Sequence, residues 1–218
     1  MALLLHRNDR EFAISLVTEA INQFEGVERA RETSIRFYSL AANLALHILN
    51  TFEDAKKCYK KALSYLDPKT ELEEILCLHH MIALSHCSLK DYKTAISEIE
   101  EVIKKAKGSP YEKLILYDSY SFLSSFYRLT KAFNKSLEMG QKAIEISKGD
   151  EVDYWQWAAT ANYCHVLLQM GEDQRGGRCM QAADKLKAQY KRKFLDKVTD
   201  QILGIEMPII FPTFVYLK

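Results

Sequence analysis

A chain of 218 residues is long enough to bury a core without disulfide or metal staples. With 48% apolar residues, and 30 Lys and Arg against 29 Asp and Glu, it is neither disordered nor basic enough for a dedicated duplex-binding domain. Eight Gly and four Pro supply few tight turns, which excludes a sheet-rich architecture and points to an all-α chain.

The amino terminus has too short an apolar run for a signal peptide, and no stretch reaches the roughly 20 apolar residues of a membrane span. A soluble, cytoplasmic protein is expected. The first helix signal runs from about Asp9 to Phe24 and carries small Ala13, bulky Val17 and small Ala20. Spacings of four and three put such a trio on one helix face, where small residues let a neighbouring helix approach closely. This stretch reads as a half repeat over 1–26, whose partner helix would lie upstream of Met1. The trio returns as Ala55, Tyr59, Ala62, as Ala95, Ile99, Val102, as Ser136, Gly140, Ala143, and as Gly176, Met180, Ala183. Its first small residue recurs every 40 to 42 residues, which delimits repeats at about 31–68, 71–107, 111–148 and 153–190.

Each later trio is preceded by a partner helix. Twelve residues before the first small position stand Asn43, Ala83, Ser124 and Cys164, followed three residues on by Leu46, His86, Tyr127 and Leu167. Short breaks divide the two helices at Asn50-Thr51, Leu89-Lys90-Asp91, Thr130-Lys131 and Met170-Gly171-Glu172. An aromatic opens the second helix at Phe52, Tyr92 and Phe133, and Asp173 breaks that pattern in the last copy. A capping helix is expected to continue to residue 204. Lys185, Lys187, Lys191, Arg192, Lys193 and Lys197 crowd it, as a solvated face or, alternatively, as a patch for an acidic partner or nucleic acid. The apolar tail 205–218, interrupted by Pro208 and Pro212, is expected to fold back on the last repeat or to favour self-association.

These second-helix segments, Thr51 to Leu63, Lys90 to Ile96 and Lys142 to Ile146, resemble the tetratricopeptide repeat (TPR), a helix–turn–helix unit. The family period is 34, and this chain, with about 41 residues per unit, is similar to the long-period repeats of kinesin light chains and bacterial peptide-pheromone receptors. The resemblance covers about residues 9 to 190. It implies an α–α superhelix, a TPR-like solenoid of antiparallel helix pairs stacked because no pair buries its apolar face alone.

The resemblance also implies a concave groove lined by the first helices. Carried over, its positions are Phe37, Leu40, Leu44 and His47, then Cys77, His80, Leu84 and Cys87, then Asp118, Ser121, Ser125 and Arg128, and last Ala158, Ala161, His165 and Leu168, with Asn162 beside them. The carboxylate clamp of some family members needs Lys in the groove, and none of these positions is Lys. A peptide with apolar anchors fits better, with Arg128 for an acidic group and Asn162 for peptide backbone. Tyr154, Trp155 and Trp157 read as packing residues, or as an aromatic anchor for a partner.

No chemistry-bearing motif competes with this reading. Cys77, His80 and Cys87 share a helical stripe, but residues seven apart lie about 10 Å apart along a helix, too far for one tetrahedral ion. The five cysteines are odd in number, lack C-x-x-C and read as small apolar core residues of a reducing compartment. Gly176-Gly177 reads as a packing position within a second helix. The expected function is therefore a non-enzymatic scaffold or adaptor that binds a protein or peptide, with no cofactor, no metal, no membrane and no direct nucleic-acid partner. The alternative is the peptide-sensing domain of a bacterial peptide-responsive transcriptional regulator.

Overall fold

The structure, a computed structural model, describes residues 31–67, 72–148 and 154–198. The expected half repeat 1–26, the end of the capping helix beyond 198 and the tail 205–218 lie outside the described residues. Within them every element is helical. Helix α1 spans Arg31–Leu44 and runs into a π-helical turn, Ala45–Leu49. Then follow α2 (Phe52–Leu63), α3 (Leu72–Ser88), α4 (Tyr92–Ala106), α5 (Glu112–Leu129), α6 (Phe133–Ser147), α7 (Tyr154–Gln169) and α8 (Asp173–Val198). None of these helices is long and apolar enough to cross a membrane.

The breaks between paired helices share one device. Asn50, Lys90, Lys131 and Gly171 all adopt a left-handed conformation, with φ between 56° and 79°. In the last three turns this residue donates its N–H to the carbonyl three back: Lys90 to Cys87 at 2.9 Å, Lys131 to Arg128 at 3.0 Å and Gly171 to Leu168 at 3.0 Å. The next residue donates to the carbonyl five back: Asp91 to His86, Ala132 to Tyr127 and Glu172 to Leu167. That is the Schellman arrangement, which satisfies carbonyls orphaned at a helix end and reverses the chain within a residue or two. In the first turn both bonds converge on the Ala45 carbonyl, from Asn50 and Thr51, so the closing loop is wider. The π-helical turn absorbs that extra width.

The chain divides into two compact units, residues 1–98 and 99–218. In the first, α1 packs on α2 and α2 on α3. Its core is built from Tyr38, Leu46, Tyr59, Ile75, Met81 and Ile82 around the small positions Ala42, Ala55 and Ala62. Asn43, at the small position of α1, accepts a 2.6 Å hydrogen bond from the Tyr59 hydroxyl and so ties the pair together. In the second unit α5 pairs with α6 and α7 with α8, α6 packs on α7, and α5 touches α7. Short reversals between helices in contact make each pair antiparallel.

The small residues are where the helices meet. Ala55, Ala95, Ser136 and Ala143 are completely or almost completely buried, as are Ala83, Ser124 and Cys164 of the partner helices. Ser124 and Ser136 lock α5 to α6 reciprocally. The Ser124 hydroxyl donates to the Ser136 carbonyl at 2.9 Å, and the Ser136 hydroxyl donates to the Ser124 carbonyl at 2.6 Å.

Two expectations are corrected in α7 and α8. The cysteines are not all core thiols: Cys164 and Cys179 form a disulfide, with Cα atoms 5.4 Å apart, while Cys58, Cys77 and Cys87 are thiols. The cause is the small-residue register itself. Cys164 holds the small position of α7, and Cys179 lies one turn beyond Gly176 of α8, where the close approach brings two sulfurs within bonding reach. The two neighbouring glycines also differ. A Cβ on Gly176 would stand 2.6 Å from Leu168 Cδ2 and 3.2 Å from the Leu168 nitrogen, whereas one on Gly177 would meet nothing within 4 Å. Only Gly176 is a packing position. Gly177→Ala is therefore expected to raise stability by about 1 kcal/mol through helix propensity, and Gly176→Ala is expected to give no such gain. Urea unfolding followed by tryptophan fluorescence measures both.

Candidate functional site

Three helices of the second unit leave a cavity of about 350 Å³ between them. α5 contributes Tyr117, Asp118, Ser121 and Phe122; α7 contributes Tyr154, Trp157, Ala158, Ala161, Asn162 and His165; α8 contributes Met180, Asp184 and Lys187. Each set follows helical spacing, so each helix presents one stripe to the cavity. Ala158 and Ala161, small residues three apart, open the space that larger side chains would fill.

The aromatic wall is fixed by its own contacts. The Tyr117 ring stacks on Trp155 at 5.2 Å, and its hydroxyl donates to the Trp155 carbonyl at 3.0 Å. Tyr154 meets Trp157 edge-on at 5.3 Å and Tyr190 at 5.8 Å. Lys187 Nζ lies 5.1 Å from the centre of the Trp157 ring, within cation–π range.

The polar groups are less settled. Asp118 is only 4% exposed. Burial raises its carboxyl to about 7, and among the described residues neither a hydrogen bond nor an opposite charge offsets the shift. The Ser121 hydroxyl, one turn along the same face of α5, is also buried without a hydrogen-bond partner among the described residues. A buried carboxylate without a partner is costly, and such perturbed groups in a cleft are candidate functional positions.

The structure brings Ser121, Asn162 and His165 together at this cavity, along with Asp118, Ala158 and Ala161. Ser125 and Arg128 are half-buried on α5, and Leu168 is an exposed residue of α7; none of the three belongs to its walls. In the first unit Leu40 is 67% exposed and His47 is exposed, whereas Phe37, Leu44 and Leu84 are half-buried, Phe37 and Leu84 packing against the core. His80 departs from the expectation. It is 1% exposed, enclosed on a helix whose Ile75, Leu76, Leu78, Met81 and Ile82 are also buried. Burial, aided by neighbouring His79, lowers its ring to about 3, so it is a neutral core residue and not part of an open face. The wall residues missed from sequence are Tyr117, Phe122, Met180, Asp184 and Lys187, with Tyr154 and Trp157 foreseen only as packing residues or, alternatively, an anchor. The signal for α8 was present as the spacing of Met180, Asp184 and Lys187, but a groove assigned to first helices leaves no place for it.

Neither a protein-family model nor a curated protein matches the sequence. Solved structures do. BtubC (BKLC) from P. vanneervenii is similar over 93% of this chain and 79% of its own, with a TM-score of 0.62 at 17% identity. A Podosopora anserina chain with nearly identical TPR-like repeats, described as a kinesin light chain, is similar over 83% of this chain and 88% of its own, with a TM-score of 0.60 at 12% identity. At these identities the likeness establishes the fold: all-α, built of TPR-like helix pairs.

Proposed function

We propose that this chain is a non-enzymatic adaptor that binds an extended or helical segment of a partner protein, with the α5–α7–α8 cavity seating the main anchor. The cavity carries the reading. Its volume is that of a small ligand site, its walls are largely apolar and aromatic, and a few polar groups converge on it. Asn162 supplies a side-chain amide that matches peptide backbone, donor to carbonyl and acceptor to N–H. The TPR-like repeats it resembles generally mediate protein interactions, which supports a binding role over catalysis.

The test is a selection of displayed random 12-residue peptides on the full chain, with recovered peptides then titrated against wild type and Ala161→Arg. The arginine would fill the space between the three helices. At least a tenfold loss of affinity is expected. Equal binding by the two proteins would move the peptide site elsewhere.

A further inference from the structure

We propose that the cavity takes the cationic side chain of a lysine or arginine of the bound peptide, with the Asp118 carboxylate as its counter-charge. This rests on the peptide-binding reading above and specifies the chemistry of the anchor.

Three observations lead there. First, Asp118 lies in the cavity wall at 4% exposure, and nothing among the described residues donates to it or neutralises it. An apolar anchor would seal this carboxylate away from water still unpartnered, and an acidic anchor would add repulsion. A cation offsets its burial most fully, as counter-charge and as hydrogen-bond donor together. Second, the Ser121 hydroxyl beside it is buried with its own bonding capacity unused, and it can accept from an ammonium or guanidinium. Third, the rest of the wall suits a cation with a long apolar stem. Phe122, Tyr154 and Trp157 offer aromatic surface, and Lys187 Nζ over Trp157 shows that one of these faces accepts an ammonium.

The other charged and titratable groups on the walls are Tyr117 on α5, Tyr154 and His165 on α7, and Asp184 and Lys187 on α8. Two carboxyl side chains, Asp118 and Asp184, face one amine, Lys187, a balance that favours an added cation once Asp118 has lost its proton. Because the Asp118 carboxyl holds its proton up to about pH 7 in the empty cavity, a cation must displace that proton. Affinity for a basic anchor therefore rises between pH 6 and pH 8.

The experiment uses peptides recovered from the selection on the full chain. The binders are expected to share one Lys or Arg. Replacing it with norleucine or citrulline, which keep the shape and remove the charge, is expected to weaken binding to wild type at least tenfold at pH 8 and less at pH 6, read by fluorescence anisotropy. Asp118→Asn is expected to bind the charged and neutral peptides alike. Equal affinity of charged and neutral peptides for wild type overturns the inference, and this arm needs no protein variant. So does a shared acidic or apolar anchor, or a preference for the cation that survives in Asp118→Asn. Peptides that lack a basic anchor yet are lost on Ala161→Arg overturn this inference and leave the peptide-binding reading standing. Recovery of no peptide at all overturns that reading, and this inference with it.

Discussion

Acidification from pH 7 to pH 4 is expected to cost the N-terminal unit about 3 kcal/mol of stability through His80 alone. The buried ring is lowered to about 3, while in the unfolded chain it titrates near its ordinary value of 6.5. Between those values the unfolded state binds a proton that the folded state refuses. Stability is therefore full above pH 6.5, falls as the pH drops, and has lost the whole contribution below pH 3. The lowered carboxyl of Glu98, held down by its 3.0 Å hydrogen bond with the His79 ring, acts in the same direction at the acid end. Both tryptophans, Trp155 and Trp157, lie in the second unit. Acid unfolding of the first unit should therefore appear in far-ultraviolet circular dichroism before it appears in tryptophan fluorescence. His80→Gln, which keeps a buried polar group but cannot titrate, is expected to flatten the slope between pH 6.5 and pH 4. An unchanged slope in that variant would remove His80 as the cause.

His80 also marks where sequence reasoning stops. The small-residue register was legible because close helix approach imposes it at fixed spacing, whatever the rest of the helix carries. Ala55, Ala95, Ser136 and Ala143 could be placed from spacing alone, and all are buried. Spacing fixes which residues share a face, but it does not say what covers that face. In α3 nearly every turn is apolar, so burial extends around the helix and the position that register assigns to an open groove is closed. Between α5 and α7 the small Ala158 and Ala161 leave a cavity, and there the register reached Asp118, Ser121, Asn162 and His165. The walls from α8 were hidden because the groove rule for such repeats assigns second helices elsewhere. The Cys164–Cys179 disulfide was hidden because fifteen residues of separation carry no motif. Only the meeting of Gly176 with the end of α7 brings those helices near enough.

Asp118→Asn is expected to stabilise the C-terminal unit at pH 8 and not at pH 4. The sign follows from a carboxyl raised by burial. Its folded value is about 7 against an ordinary value of 3.8, so between pH 4 and pH 7 the folded state keeps a proton that the unfolded state has released. Stability is highest in acid and declines as pH rises through that window, with about 4 kcal/mol lost once both states are ionised. Asn removes the ionisation. Its buried amide brings a desolvation cost of about 1–3 kcal/mol, which leaves a net gain of roughly 2 kcal/mol at pH 8. At pH 4 the wild-type carboxyl is neutral in the fold and the gain vanishes. Urea unfolding by tryptophan fluorescence reads this unit directly. The same measurement connects stability to binding. A bound lysine or arginine gives the carboxylate its partner, so a basic peptide at saturating concentration should stabilise wild type more at pH 8 than at pH 6. In Asp118→Asn that increment should be the same at both pH values. If the wild-type increment does not grow with pH, the buried carboxylate is a cost that the fold carries without a cationic partner in this cavity.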